Sequence, residues 1–209
     1  MEKNEILKTG TTTVGILAKD AVILAADKRA TMGYMVANKH VEKIVKISDY
    51  IAMTTAGSVG DAQTLARYLR AELQLYENAN HKRPTVKAAA TLLGNILFQG
   101  RMSFIPYYVQ LILAGYDSKP RLFSLDAGGS VLEENYTSTG SGSPFAYGVL
   151  EDNFKENLSK EDAIIVAIKA VSAATKRDVF SGEGIDVWVI DKKGINKLSK
   201  DEINKVLKG

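Results

Sequence analysis

Short apolar runs and closely spaced turns near the amino end predict β-strands. Residues 14–18 and 21–26 are rich in Val, Ile, Leu and Ala, and only Lys19-Asp20 separates them. This pattern is typical of a hairpin with a two-residue turn. When its register is extended toward the amino end, Asp27 lies opposite Thr12, and a bulge would shift it by one residue.

Helical spacing of apolar residues begins after Ser58 and predicts a helix to about Asn78. Asp61 follows Ser58 by three residues and gives the helix a capping-box-like start. A second helix follows Pro84. The remaining segments predict strands over 44–47, 50–55, 107–116, 121–126, 131–138 and 185–190, and helices over 144–154, 159–176 and 201–207. The order shows no βαβ alternation and no repeats, which favours two packed sheets with helix pairs outside.

Composition indicates one ordinary globular domain. The chain has 209 residues, of which 45% are hydrophobic and 24% charged, and this length can supply a substantial core. The 27 basic and 24 acidic residues are interspersed and leave a net charge of only +3, so nucleic-acid binding has little support. The absence of cysteine excludes disulfides, thiolate metal sites and cysteine nucleophiles.

The longest uncharged runs, 88–100 and 102–116, are too short to cross a membrane, and the second contains Pro106. The first ten residues, MEKNEILKTG, carry several charges and no apolar stretch. They do not resemble a secretory signal. These features predict an intracellular protein that does not bind a membrane.

Conventional catalytic pairs are not evident. His40 and His81 have polar neighbours, far from a serine elbow or a second metal ligand, and are interpreted as surface imidazoles. A Ser-His-Asp triad and a histidine zinc site are therefore disfavoured. The GSGS stretch at 140–143 lacks the downstream Lys-Ser/Thr of a phosphate loop. On composition it is a strand-to-helix loop.

The remaining candidate is Thr11, the first of three threonines after Gly10. A threonine hydroxyl needs a neighbouring base, and a cut before Thr11 would supply one as the residue's own α-amine. The unperturbed pKa of such an amine is about 7.7–8.0, which suits a general base. Threonine runs are also common at strand starts. A short leader, a hairpin-positioned Asp27 and a later Lys43 together favour the catalytic interpretation.

Five stretches of this sequence resemble the proteasome β-subunit family of N-terminal-nucleophile hydrolases, in particular its archaeal catalytic type. They are TTTVGI (11–16), AVILAADKRAT (21–31), GSVGDAQ (57–63), STGSGSPFAYGVLE (138–151) and KRDVFSG (176–182). The stretches extend over nearly all of residues 11–209 at family-like spacing. The combination of GSGSP with KRDxxSG is far more diagnostic than any single glycine loop.

The resemblance implies an α+β fold, a four-layer αββα sandwich of two antiparallel sheets between helix layers. It also implies that residues 1–10 are a propeptide removed by self-cleavage between Gly10 and Thr11, and that residues 11–209 form a single catalytic domain. The implied activity is a threonine endopeptidase that hydrolyses unfolded proteins and needs no metal or organic cofactor.

The resemblance assigns roles to individual residues. Thr11 Oγ attacks the scissile carbonyl, and its freed amine shuttles the proton through water. Lys43 supplies positive charge that favours the deprotonated hydroxyl and amine, and Asp27 holds Lys43. The Gly57 N–H is the oxyanion donor. A supporting hydrogen-bond network around the Thr11 amine comprises Ser141, Asp178 and Ser181.

A substrate is expected to dock as an extended strand along Thr31, Gly57 and Val59, by β-augmentation. The positions that match the family's side pocket are small or apolar: Ala30, Val41, Val45, Thr55 and Val59. They predict cleavage after hydrophobic residues. For Val41 and Val45 a role in the ordinary core explains the sequence nearly as well.

Assembly is also implied by the resemblance. Copies of the chain are expected to form heptameric rings capped by rings of proteasome α subunits, with the active sites facing an inner chamber. A regulatory ATPase acting on the assembled particle would deliver unfolded proteins, and the location would be the cytoplasm. Enclosure of the sites explains how an unselective protease is tolerated there.

Four alternatives stay open at this point. A non-catalytic ring subunit would have no need for the six polar site residues together. The simpler bacterial proteasome-like peptidases usually have little or no leader and lack the KRDVFSG-type ending. A non-peptidase amidase of the same superfamily would typically begin with cysteine or serine. A pure binding module lacks any marked ligand surface.

Overall fold

The structure is a computed structural model that describes residues 10–104 and 106–208. Within these residues it contains twelve strands and five helices. The strands are β1 (Thr13–Leu17), β2 (Ala21–Asp27), β3 (Ala30–Met32), β4 (Met35–Asn38), β5 (Ile44–Lys46), β6 (Ile51–Gly57), β7 (Val109–Tyr116), β8 (Pro120–Asp126), β9 (Val131–Glu133), β10 (Tyr136–Thr139), β11 (Ile185–Asp191) and β12 (Gly194–Lys197). The helices are α1 (Val59–Asn80), α2 (Val86–Met102), α3 (Ser143–Asn153), α4 (Lys160–Thr175) and α5 (Lys200–Lys208).

Ten of the strands form two five-stranded antiparallel sheets. The first sheet has the order β10-β1-β2-β11-β12, and the second has the order β5-β6-β7-β8-β9. Strands β3 and β4 form a separate hairpin. Because the first sheet combines strands from both ends of the chain, it brings the amino-terminal strand beside residues far along the sequence.

Three apolar clusters define the layers. One fills the space between the second sheet and helices α1 and α2, one lies between the sheets, and one joins the first sheet to α3, α4 and α5. The central strand β2 contributes to two of them: Ile23 and Ala25 face the helices, whereas Leu24 and Ala26 face the second sheet. The predicted αββα sandwich is therefore confirmed.

The predicted hairpin register is confirmed as well. Thr13 pairs with Ala26 in the β1–β2 ladder without a bulge. The backbone N–H of Asp27 donates to the Thr12 carbonyl at 3.1 Å. Asp27 therefore lies opposite Thr12, next to the first residues of β1.

The strand predictions were incomplete in two respects. The segment 131–138 was predicted as one strand, but it forms β9 in the second sheet and β10 in the first. The chain crosses between the sheets there, and alternation of apolar residues carries no information about which sheet a strand joins. The β3–β4 hairpin and β12 were not predicted, because these strands are short and largely exposed.

The predicted cap of α1 is half confirmed. Ser58 Oγ accepts a hydrogen bond from the Asp61 N–H at 3.4 Å. The Asp61 carboxylate does not return to Ser58 but accepts from the Tyr108 N–H at 2.9 Å. The start of α1 is thereby joined to the residue that precedes β7.

The two histidines are exposed, as predicted. The 140–143 segment connects β10 to α3, so it is the strand-to-helix loop that its composition indicated. None of the helices in the described part of the chain is long and apolar enough to cross a membrane.

Candidate active site

Thr11 lies two residues before β1, at one end of the sandwich. The residue is buried, with only 5% of its surface exposed. Loops from distant parts of the sequence surround it, since β2, β5 and β10 all end or begin nearby. Thr11 is therefore enclosed by the fold rather than displayed on the surface.

Asp27 and Lys43 form an ion pair beside Thr11. The Lys43 Nζ lies 2.6 Å from Asp27 Oδ1, and the side chains are 5% and 0% exposed. The Asp27 carboxylate also accepts from the backbone N–H groups of Thr12, Arg29 and Gly182 at 2.8–3.0 Å. Four donors thus compensate for the burial of its charge.

Burial lowers the pKa of the Lys43 ammonium, because water no longer stabilises its charge. The Asp27 carboxylate opposes this shift through its charge and its hydrogen bond. Lys43 therefore releases a proton more readily than an exposed lysine does. A lysine in this state can take part in proton transfer as well as supply charge.

The second polar group is centred on Asp178. Its Oδ2 accepts hydrogen bonds of 2.6 Å from both Ser141 and Ser181. Ser141 Oγ in turn accepts from the Thr11 backbone N–H at 3.1 Å. The structure therefore brings together the three residues of the predicted supporting network, of which Ser141 contacts the Thr11 nitrogen.

The peptide bond between Gly10 and Thr11 lies within the site. Thr11 Oγ1 donates to the Gly10 carbonyl oxygen at 2.7 Å, and Lys43 Nζ donates to the same oxygen at 3.3 Å. The Gly10 N–H donates to Thr31 Oγ1 at 3.1 Å. A hydroxyl, a cation and a peptide carbonyl thus meet at one point.

Sequence reasoning missed a layer of hydroxyl groups beneath Thr11. Thr13 Oγ1 is 2.6 Å from Thr139 Oγ1 and accepts from Thr54 Oγ1 at 3.1 Å. Thr12 Oγ1 is 2.7 Å from Ser181 Oγ. These bonds join β1 to β10, to the second sheet and to the loop after α4. In the sequence, the run of three threonines was the only sign of this hydroxyl layer.

Arg29 was also missed. Its backbone N–H donates to Asp27, while its guanidinium donates to the Val179 carbonyl at 2.8 Å and lies 3.2 Å from a Glu183 oxygen. Arg29 therefore connects the strand that carries Asp27 to the loop that carries Asp178. In the sequence it is one charged residue after Asp27 and Lys28, and its partners lie about 150 residues away.

A cavity of about 360 Å³ opens directly beside Thr11. All six residues predicted to bind substrate line it, together with Gly10, Gly57 and Lys43. Arg29, Glu42 and Gln63 also contribute to the wall and were not predicted. The six predicted lining residues are Ala30, Thr31, Val41, Val45, Thr55 and Val59.

Gly57 lies at the end of β6 and borders the same cavity. Its φ of 105° belongs to the region that favours glycine, and a Cβ here would overlap the Tyr108 carbonyl oxygen. The position thus requires glycine on steric grounds alone. Its role as oxyanion donor remains a prediction.

Ser141→Ala is expected to lower peptide hydrolysis by about 10- to 100-fold, because the Thr11 nitrogen loses a hydrogen-bond partner. Steady-state rates with a fluorogenic peptide measure the effect. Ser143→Ala, at the first residue of α3, is the matched control and should keep the wild-type rate. Equal rates for Ser141→Ala and wild type would contradict a contribution of Ser141.

The part of the chain that the structure describes contains no cluster of three or more His, Asp or Glu residues able to hold a metal ion. The polar groups around Thr11 are instead bonded to one another. This arrangement places a hydroxyl, a cation and a peptide carbonyl beside a cavity, a combination that can activate a hydroxyl and stabilise negative charge.

Comparison with known proteins agrees with this geometry. A family model described as proteasome subunit matches residues 7–190. The chain therefore belongs to the proteasome subunit family. Its two antiparallel sheets between helix layers are the fold expected for that family.

Similar proteins define its type within the family. The chain is 54% identical to proteasome subunit beta 2 of Aeropyrum pernix over 189 residues, covering 90% of this chain and 85% of that protein. It is 53% identical to proteasome subunit beta of Picrophilus torridus, with 98% and 97% covered. It is 48% identical to proteasome subunit beta of Methanopyrus kandleri, with 99% and 100% covered. The chain is accordingly a proteasome subunit of the β type.

Proposed function

We propose that this chain is the catalytic β subunit of a proteasome core particle, a threonine endopeptidase that first removes its own residues 1–10. The observation that supports this most is the contact of Thr11 Oγ1 and Lys43 Nζ with the same Gly10 carbonyl oxygen. A merely structural subunit has no need for a buried ion pair, a hydroxyl and a peptide carbonyl at one point.

Self-cleavage begins when Thr11 Oγ attacks the Gly10 carbonyl carbon and transfers its proton to the surrounding groups. The Gly10–Thr11 C–N bond then breaks, the nitrogen takes up a proton, and Gly10 becomes an ester on Thr11 Oγ. Water hydrolyses the ester, which releases residues 1–10 as a carboxylic acid. Lys43 supports the attack, since its ammonium polarises the carbonyl and its lowered pKa eases proton exchange.

The freed α-amine then serves as the base for peptide hydrolysis. Thr11 Oγ attacks a substrate carbonyl carbon, and the amine accepts the hydroxyl proton. The peptide C–N bond breaks, its nitrogen receives that proton and leaves as an amine, and the acyl part of the substrate remains as an ester on Thr11 Oγ. Water then hydrolyses this ester, which releases the carboxylic acid product and restores the Thr11 hydroxyl. Ser141 and Asp178 hold the amine in place. The Gly57 N–H stabilises the oxyanion, and the loss of one such donor typically lowers the rate by ~10²–10³.

The mass of the intact chain tests this proposal. The chain is co-expressed with a proteasome α subunit, assembled particles are purified, and the β chain is weighed by mass spectrometry. Loss of residues 1–10, with Thr11 as the first residue, supports the proposal. A full-length wild-type chain within assembled particles would instead favour a non-catalytic ring subunit.

The cavity predicts a preference for hydrophobic residues on the acyl side of the cleaved bond. All six predicted lining residues are Ala, Val or Thr, whose side chains are small, and apolar burial favours a matching group. Peptides ending in Leu, Phe or Tyr before the reporter should exceed those ending in Arg or Glu by about tenfold or more in kcat/KM. Equal cleavage after Arg or Glu would contradict this preference.

Assembly follows from family membership. We propose heptameric rings of this chain, capped by rings of α subunits, with Thr11 facing an inner chamber in the cytoplasm. A regulatory ATPase would deliver unfolded proteins to that chamber. The cavity beside Thr11 selects little beyond an extended chain with an apolar side group. Enclosure of the site would therefore be what protects folded proteins from cleavage.

A further inference from the structure

We propose that Phe180 is the residue that restricts position 10 to glycine, so that only a leader ending in glycine can be removed. The Cβ of Phe180 occupies the place that a side chain on residue 10 would need. This inference rests on the proposed self-cleavage between Gly10 and Thr11. It concerns the step that precedes peptide hydrolysis and names the group that limits it.

The steric conflict is close to the backbone. A Cβ built on Gly10 overlaps the Phe180 Cβ and lies 2.7 Å from both the Cα and the Cγ of Phe180. Non-bonded carbon atoms are normally about 3.5–4.0 Å apart. A different rotamer of the Phe180 ring would move Cγ but would leave Cα and Cβ in place. A change of rotamer therefore cannot relieve the conflict.

Residue 10 has little freedom to move away. Its N–H donates to Thr31 Oγ1 at 3.1 Å, and its carbonyl oxygen accepts from Thr11 Oγ1 and Lys43 Nζ. The last two contacts are the ones that prepare the carbonyl for attack. A shift of residue 10 away from Phe180 would therefore break the reactive geometry.

The loop that carries Phe180 is held equally firmly. The Phe180 N–H donates to Asp178 Oδ1 at 3.1 Å. On either side, the Val179 carbonyl accepts from Arg29 and the Gly182 N–H donates to Asp27 Oδ2, both at 2.8 Å. A retreat of this loop would disturb both aspartates of the site.

A side chain at position 10 should consequently displace the carbonyl from Thr11 Oγ. Displacements of about 1 Å can lower rates by ~10²-fold, because the reacting atoms lose their alignment. The same geometry means that leader removal and peptide hydrolysis use different poses of the residue before the cleaved bond. A peptide substrate carries a Cβ before its scissile bond, so it cannot adopt the pose of Gly10 and must place that side chain toward the cavity.

The test combines Gly10→Ala with two substitutions of Phe180 in particles assembled with an α subunit. Leader loss is followed over time by intact mass. Gly10→Ala alone should slow leader loss by about 100-fold or more. Adding Phe180→Gly removes the overlapping Cβ and should restore about tenfold of that rate but not all of it, because the Cα of residue 180 still lies 2.7 Å from the Cβ position. Adding Phe180→Ala removes the ring but keeps Cβ, and should restore nothing.

The single variants Phe180→Gly and Phe180→Ala, each with Gly10 retained, report whether the altered loop still supports cleavage. If Phe180→Gly proves inactive by itself, a series of Ala, Ser and Val at position 10 decides the question. A conflict at Cβ predicts the same block for all three. A loss graded by size would overturn the proposal.

Two further results would also overturn it: leader loss from Gly10→Ala at the wild-type rate, and equal restoration by Phe180→Ala and Phe180→Gly. Failure of the wild-type chain to lose its leader is distinguishable from both, because it contradicts the proposed self-cleavage rather than the role of Phe180.

Discussion

Thr11→Ala should retain residues 1–10 and lower peptide hydrolysis by at least about 10⁴-fold, to the level of background. Alanine lacks the oxygen that forms the ester in both reactions, and no other hydroxyl in the site lies against the Gly10 carbonyl among the described contacts. Intact mass and fluorogenic peptide hydrolysis of the assembled particle measure the two effects together.

Thr11→Ser is the matched control, because it keeps the hydroxyl and removes only a methyl group. It should lose its leader and retain measurable hydrolysis. Removal of residues 1–10 from the Thr11→Ala chain would assign the cut to another protease and would contradict self-cleavage.

Lys43→Met should have two large effects, one on stability and one on chemistry. Removing Lys43 leaves the fully buried Asp27 carboxylate without its cation, and an orphaned buried charge of this kind typically costs about 3–5 kcal/mol of unfolding free energy. The Gly10 carbonyl also loses its contact with Nζ. The leader should therefore stay attached. Urea denaturation of the purified chain and intact mass measure the two results.

Lys46→Met provides the control for Lys43→Met within the same segment. Lys46 pairs with Asp49 at 2.6 Å, but the two side chains are 56% and 80% exposed. Exposed ion pairs contribute about 0–1 kcal/mol, so stability and leader removal should both stay close to wild type. Equal effects of the two substitutions would contradict the argument from burial.

Part of the site could be predicted from local pattern alone. The apolar runs on either side of Lys19-Asp20 specify a hairpin, and its register places Asp27 beside Thr12, as the structure confirms. Neighbouring strands of a hairpin are close in sequence, so turn length and alternation determine which residues face each other.

The position of Lys43 beside Thr11 and Asp27 could not be predicted from local pattern. Lys43 precedes β5, which lies in the second sheet, whereas Thr11 and Asp27 flank strands of the first. Contact between the two sheets depends on how their inner faces pack, and no local pattern contains that information. The sequence offered Lys43 only as a lysine further along the chain, and the resemblance to a known family supplied its role.

The supporting network presented the same difficulty. By composition, the stretches around Ser141 and Asp178 are an ordinary loop and an ordinary helix end. They meet Thr11 because β10 pairs with β1 and α4 packs on the first sheet, which brings together residues separated by 130 positions in the sequence. Arg29 and Phe180 gained their significance in the same way.

The sequence by itself determined the helices, most strands, the first hairpin and the chemical type of the candidate nucleophile, because these depend on neighbours along the chain. The tertiary structure decided which sheet each strand joins, which distant polar groups surround Thr11, and why glycine precedes it. Those outcomes depend on contacts between segments that are remote in sequence, and such contacts form only when both sheets and their helix layers pack together.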